Sequence, residues 1–140
     1  DESKTPLYPF GFGLSYTKYT YGEPTLSNTS LSGNEKITVS VEVSNTGEFD
    51  GEEIAQLYIR DNVSSATRPV KELKGYQRVV LNTGETKTVK FTLDAESLAF
   101  YDINMDYCVE PGEFTIMIGS SSAKKDLKIT TLTVNDKIEL

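Results

Sequence analysis

Histidine and tryptophan are both missing from these 140 residues, and cysteine occurs once. Without histidine the chain cannot build a Ser-His or Cys-His nucleophile pair. It also lacks the commonest transition-metal ligand. A lone Cys108 excludes an internal disulfide and a thiolate metal cluster, and it leaves the redox compartment unread. Cys108 is expected to be a small buried hydrophobe. No apolar run reaches the roughly 18 residues that a membrane-spanning helix needs. Positive charge is scarce, with 14 Lys and Arg against 21 Asp and Glu and a formal net charge of −7. Phosphate backbones and anionic membranes are held largely through Lys and Arg, so neither nucleic acid nor a membrane is an expected partner. The first residues, Asp1-Glu2-Ser3-Lys4, carry no signal-peptide pattern.

What the chain does have is alternation. Ile37, Val39, Val41 and Val43 alternate with Thr38, Ser40, Glu42 and Ser44, the period of a strand with one buried face. A turn-forming stretch follows, from Asn45 to Gly51. Ala55, Leu57 and Ile59 then define a second apolar face, with Gln56, Tyr58 and Arg60 pointing the other way. Thr20 to Ser27 reads as one edge strand, since Pro24 has no amide to donate to a ladder. Glu72 to Leu81 reads as a strand interrupted at Gly75. Thr86 to Leu93 alternates again, with Val89, Phe91 and Leu93 inward. Asp94 caps a single helical turn, and Leu98 to Asp102 is short and apolar. Tyr107 to Val109 leads into a turn, after which Phe114, Ile116 and Ile118 share a face. In Leu127 to Val134 the apolar phase slips between Ile129 and Leu132, which predicts a bulge. About seven strands, turn signals between them and no amphipathic helix predict an all-β, antiparallel immunoglobulin-like or fibronectin type III-like β-sandwich. Core positions on this reading include Val39, Val41, Leu57, Ile59, Phe91, Ile116 and Ile118.

The opening of the chain is different. Pro6 to Thr17 holds two prolines and two glycines, which bar a regular helix or central strand. Leu7, Tyr8, Phe10, Phe12, Leu14 and Tyr16 are nevertheless too apolar for a free linker. The segment either packs on the flank of its own sandwich or forms a joint to another domain. Residues 1–17 are assigned as an extended interdomain docking segment, and 18–140 as the sandwich.

Several blocks carry a family resemblance. Pro6-Leu7-Tyr8-Pro9-Phe10-Gly11-Phe12-Gly13-Leu14-Ser15-Tyr16-Thr17 resembles the opening motif of the fibronectin type III-like domain that closes family-3 glycoside hydrolases. Arg68-Pro69-Val70-Lys71-Glu72-Leu73-Lys74-Gly75-Tyr76 resembles its second block. Gly84-Glu85 through Phe91 with Leu98 to Asp102, and then Val109 to Phe114 with Ile118 to Ser122, resemble the third and fourth. Ile103 to Cys108 matches no pattern of the family. The resemblance implies a parent enzyme of the β-glucosidase or β-xylosidase type, periplasmic or secreted. It implies catalytic residues in a barrel domain and an α/β domain that precede the sandwich. Those two domains are the expected partners. Neither catalytic motif stands in this chain, so no catalytic residue is carried over.

The chemistry of the residues agrees. Glycoside hydrolysis needs two carboxylates, but the acids here fall mostly in turns and on outward strand positions. Asn45, Glu48, Asp50, Glu52 and Glu53 offer oxygens to calcium, yet their spacing fits no calcium motif and reads as an acidic turn. No metal, cofactor or catalytic residue is expected, and the domain alone is expected to be monomeric. Asn28-Thr29-Ser30 and Asn62-Val63-Ser64 are formal glycosylation sequons. Two functions remain. One is a structural accessory domain that stabilises catalytic domains by packing on them. The other is a carbohydrate-binding module, for which the absence of tryptophan is unfavourable although tyrosine occurs eight times.

Overall fold

The computed structural model describes residues 18–33, 35–62, 72–102, 104–120 and 127–140. The six apolar residues of the opening segment, Leu7 to Tyr16, lie outside them. Nearly all the regular structure is strand, in two main sheets and one small one.

The first sheet is built around β4 (Ile37–Asn45), whose burial alternates as its sequence does. On one side it pairs with β7 (Thr86–Leu93), from Ile37 opposite Leu93 to Ser44 opposite Thr86. On the other side lie β1 (Tyr19–Tyr21) and β2 (Thr25–Leu26), which share the same edge of β4. The single strand expected over Thr20 to Ser27 is thus two short ones, parted at Gly22, Glu23 and Pro24. The missing amide of Pro24 places this element at an edge, as expected, and also breaks it.

The second sheet has the order β3-β11-β10-β5-β6. It comprises β3 (Ser30–Leu31), β5 (Gly51–Asp61), β6 (Glu72–Leu81), β10 (Gly112–Ser120) and β11 (Lys128–Val134). β6 runs on past Gly75, and the irregularity sits in its pairing, where the register shifts between Leu57 and Tyr58 of β5. The bulge expected in β11 is absent: it pairs with β10 without a shift from Lys128 to Val134. The apolar phase slips there only because Ile129 faces outward, opposite Met117, and is exposed.

A third small sheet joins β8 (Phe100–Tyr101), β9 (Tyr107–Val109) and β12 (Ile138–Glu139). The turn before it is the helical turn α1 (Ala95–Leu98), held by a reciprocal cap. The Ser97 amide donates to Asp94 Oδ1 at 3.0 Å, and the Asp94 amide donates to Ser97 Oγ at 3.3 Å. Twelve strands are described where about seven were expected, because two-residue edge strands leave no periodicity to read.

One apolar cluster fills the space between the two main sheets, and every expected core residue belongs to it. Phe114, Leu57, Ile116, Ile118 and Leu132 are essentially inaccessible. The domain therefore carries its own core. Close packing also fixes Gly119, where an added Cβ would lie 2.7 Å from Leu127 Cδ2.

Candidate functional site

Four buried polar positions stand out among the described residues: Asn45, Glu53, Asp102 and the pair Gln56 and Tyr58. Three of these hold the fold together. Asn45 ends β4 in phase with Val39, Val41 and Val43, so its side chain points inward. Its Nδ2 donates to the carbonyls of Phe49 (2.8 Å) and Leu81 (3.0 Å), and its Oδ1 accepts from the Gly47 amide (3.0 Å). The turn after β4 is thereby tied to the end of β6.

Glu53 is in phase with Ala55, Leu57 and Ile59 and is 2% exposed. The Tyr21 hydroxyl donates to its Oε2 at 2.9 Å, and the Ile54 amide donates to Oε1 at 3.1 Å. Burial pushes the Glu53 carboxyl above the usual glutamate range, against the hydrogen bonds from Tyr21, Ser120 and Ile54. Burial, followed by the Glu53 charge, pushes the Tyr21 phenol far up. A carboxyl whose folded pKa is raised stabilises the fold fully below its unfolded pKa, and that contribution is lost as pH rises through the folded value. Glu53→Gln should therefore gain stability relative to wild type on going from pH 4 to pH 7. Urea unfolding at both pH values checks this. A difference between the two proteins that does not change with pH would remove the charge from the account.

Asp102 is 4% exposed and organises the turn before β9. Its Oδ1 accepts from the amides of Asn104 and Asp106, both at 2.9 Å. Its Oδ2 lies 3.6 Å from Lys137 Nζ and accepts from Cys108 Sγ at 3.6 Å. The Asp106 amide foremost, then the Asn104 amide, Cys108 and Lys137, hold the Asp102 carboxyl below the usual range. The turn carries Met105 at φ 66°, a left-handed conformation that costs a non-glycine residue energy, with its side chain exposed. Cys108 is fully buried, as expected, and burial with the Asp102 charge pushes its thiol up. Because the thiolate is the reactive form, Cys108 should resist iodoacetamide at pH 7.5 while the protein is folded and label quickly in urea. Fast labelling of the folded protein would contradict the closed environment.

The acidic group expected to be an ordinary turn is scattered. Asp50 Oδ1 accepts from the Thr83 amide at 2.8 Å, Asn45 is tied to the backbone and Glu53 is enclosed. No group of three potential ligands able to hold a metal ion occurs among the described residues. An open depression of about 300 Å³ on the first sheet includes Glu23, Ser40, Glu42 and Thr88. Its two carboxylates are exposed, and Glu23 pairs with Lys128 Nζ at 3.8 Å. Glycosidase acids work in enclosed surroundings that separate their pKa values, and this depression offers none.

The fourth position lies on the outer face of the second sheet. Gln56 and Tyr58 do point away from the core, but both are 7% exposed, and the Tyr58 hydroxyl donates to Gln56 Oε1 at 2.7 Å. Ile54, Thr115 and Met117 on the same outer face are buried too. The period-two pattern gave the direction of these side chains, and direction alone does not set their exposure. Asn45 and Glu53 were missed for the opposite reason. Their phase marked them as inward, and only their polarity argued otherwise.

Comparison with known proteins completes the description. A family model for the fibronectin type III-like domain matches residues 53–122. The chain is 53% identical over 131 residues to a β-xylosidase of Formosa agariphila, covering 94% of this chain and 18% of that protein. It is 48% identical over 124 residues to a periplasmic β-glucosidase of Salmonella typhimurium, covering 89% of this chain and 16% of that one. Among solved structures, a β-glucosidase of Erythrobacter marinus superposes with a TM-score of 0.80 at 43% identity, over 91% of this chain and 17% of its own. The chain thus spans less than a fifth of the length of each of these relatives. With its sandwich, its core and the matched stretch from Glu53 to Ser122, the chain belongs to the fibronectin type III-like domain family.

Proposed function

We infer that this domain is a non-catalytic accessory part of a larger β-glucosidase or β-xylosidase, and that it stabilises the catalytic domains by packing on them. The observation that carries this reading is coverage. Nearly all of this chain aligns with glycoside hydrolases, and it accounts for only 18% and 16% of two of them. The buried carboxylates support it, since Glu53 and Asp102 are both engaged in holding the fold. The partners are a barrel domain and an α/β domain of the same polypeptide. Residues 1–17 form the joint to them, with Leu7, Tyr8, Phe10, Phe12, Leu14 and Tyr16 as docking side chains and 18–140 as the sandwich. Each large apolar side chain buried there contributes about 1.5–3 kcal/mol. By analogy with the Salmonella protein, the compartment is periplasmic or secreted.

The test removes residues 18–140 from the longer polypeptide. Its thermal midpoint should fall, and the 140-residue chain alone should not turn over aryl β-glucosides or β-xylosides. Cello- and xylo-oligosaccharides should bind the chain no tighter than about millimolar, near −4 kcal/mol. An unchanged midpoint would end the accessory reading. A micromolar sugar site would replace it with a binding module.

A further inference from the structure

The short strand β1 closes over a carboxyl that has no cation beside it. Tyr19 and Tyr21 alternate with the exposed Thr20, so both rings turn inward and pack against the core. Glu53 reaches them from β5 of the second sheet, so its hydrogen bond from Tyr21 ties one sheet to the other. Few polar groups surround it. β1 supplies the Tyr19 and Tyr21 phenols, β10 the Ser120 hydroxyl, and β5 the Ile54 amide and the Glu52 carboxylate. Arg78 of β6 lies 4.0 Å from Glu52, and Lys87 of β7 donates to the Val80 carbonyl at 2.7 Å. The inward positions at that end of β4 are Val41, Val43 and the neutral Asn45. No ion pair reaches Glu53 among the described residues. The Tyr19 hydroxyl is enclosed as well, and it has no hydrogen-bond partner among the described residues. Buried polar groups are nearly always bonded, so this one calls for an explanation. β1 itself is lightly held. It is three residues long and pairs only with β4. Beyond its ladder, the Gly22 amide donates to the Glu42 carbonyl at 2.8 Å and the Thr46 amide to the Lys18 carbonyl at 2.9 Å.

We propose that β1 is a pH-sensitive latch on the sandwich, closed while Glu53 carries its proton and released as Glu53 ionises. With β1 down, ionisation places a charge in a space where only the bonds from Tyr21, Ser120 and Ile54 offset it. Burial outweighs those bonds and holds the closed-state carboxyl above the usual range. With β1 lifted, water reaches both Glu53 and the Tyr19 hydroxyl, and the carboxyl returns to the ordinary glutamate range. The open state therefore loses its proton at a lower pH than the closed state. Between those two pH values the open fraction rises with pH, by at most about tenfold per unit, and it levels off above the closed-state value. Tyr21, its phenol pushed far up, keeps its proton throughout and does not share in the titration. The rest of the sandwich need not move, because β4 keeps its ladder to β7 on the other side from Ile37 to Ser44. Such local opening, below the free energy of global unfolding, is drawn from elements with few ties.

Amide hydrogen exchange of the 140-residue chain at pH 4 and pH 7, corrected for the intrinsic chemical rate, reads this opening. The Gly22 and Thr46 amides report on β1. The Asn45 amide, which donates to the Glu85 carbonyl at 2.9 Å, is the control on the same strand. Relative to Asn45, Gly22 and Thr46 should exchange at least about fivefold faster at pH 7 than at pH 4. No relative change, or slowing, would overturn the proposal. Equal acceleration of all three amides would mean that the whole sandwich loosens, and would overturn it too. In the wild type, the carbon-13 shift of Glu53 Cδ should titrate over the pH interval in which Gly22 loses protection. A carboxyl that titrates outside that interval would sever Glu53 from the opening and overturn the proposal, whether or not a variant folds. Glu53→Gln should abolish the pH dependence at Gly22, and dependence that survives in a folded variant would assign it to another group and overturn the proposal. Tyr21→Phe keeps the ring and removes the tie, so Gly22 should exchange faster at both pH values. Unchanged exchange in that variant would show that the hydroxyl does not hold β1 down.

Discussion

Phe91→Ala should lower the unfolding free energy of the 140-residue chain by about 3–5 kcal/mol, the range for deleting a buried aromatic ring. Phe91 is 6% exposed and faces Val39 across the β4–β7 ladder. Its ring edge also reaches the second sheet, where the Cβ position of Gly75 lies 3.5 Å from Phe91 Cδ2. The ring therefore spans the gap between the sheets, and its removal leaves a cavity between two hydrogen-bonded sheets that relax only in part. The comparison is Val80→Ala on the outer face of β6, where the side chain is 51% exposed. A surface change of that kind should stay within about 0.5 kcal/mol. Denaturant midpoints of the two variants measure both. Equal losses would mean that the division of β6 and β7 into inward and outward positions is wrong.

The second large effect is expected at Asn45. Asn45→Asp keeps the shape of the side chain but replaces a donor with a carboxylate oxygen that faces the carbonyls of Phe49 and Leu81. The buried Leu81 carbonyl loses its donor, at about 1–3 kcal/mol for an unsatisfied group, the part-buried Phe49 carbonyl loses one as well, and a charge is enclosed with them. The variant should be strongly destabilised at pH 7. It should recover part of the loss near pH 4, where a protonated carboxyl can donate one hydrogen bond again. Asn45→Ala should be destabilised without that recovery. Unfolding of the three proteins at both pH values decides it. An Asn45→Asp protein as stable as wild type at pH 7 would show that the amide does not bridge the turn to β6.

The legible part of this fold was its long strands. β4, β7 and β10 each display eight or more residues of pattern, and their inward sets came out in the correct phase. Short strands were not legible, because two residues such as Ser30–Leu31 or Ile138–Glu139 pair only when tertiary structure brings a partner. Glu53 and Asn45 were legible by phase and obscured by polarity. The burial of Gln56 and Tyr58 was not legible, because the direction of a side chain does not say whether the face it points to is covered. Asp102 was missed although the two amides it accepts from, of Asn104 and Asp106, lie only two and four residues on. Its other partners, Cys108 and Lys137, come from later in the chain, and only the fold gathers them.

The break between β1 and β2 bears on how a sandwich with free sheet edges avoids self-association. A free strand edge is a row of unpaired amides and carbonyls that can recruit another chain into an extended, ultimately fibrillar sheet. Along the β1/β2 edge, Pro24 interrupts that row after three residues of β1 and before two of β2. No stretch of uninterrupted strand there approaches the six or seven residues that a stacking segment uses. The edge strand β6 of the second sheet is ten residues long and holds no proline, but it carries Glu72, Lys74 and Arg78, with Lys74 3.4 Å from Glu72 and Arg78 4.0 Å from Glu52. Charged side chains on an edge oppose the approach of a second strand, an effect that salt weakens, whereas the proline break is steric. Raised ionic strength should accordingly unmask β6 before the other edge, and amorphous or fibrillar association of this domain would begin there.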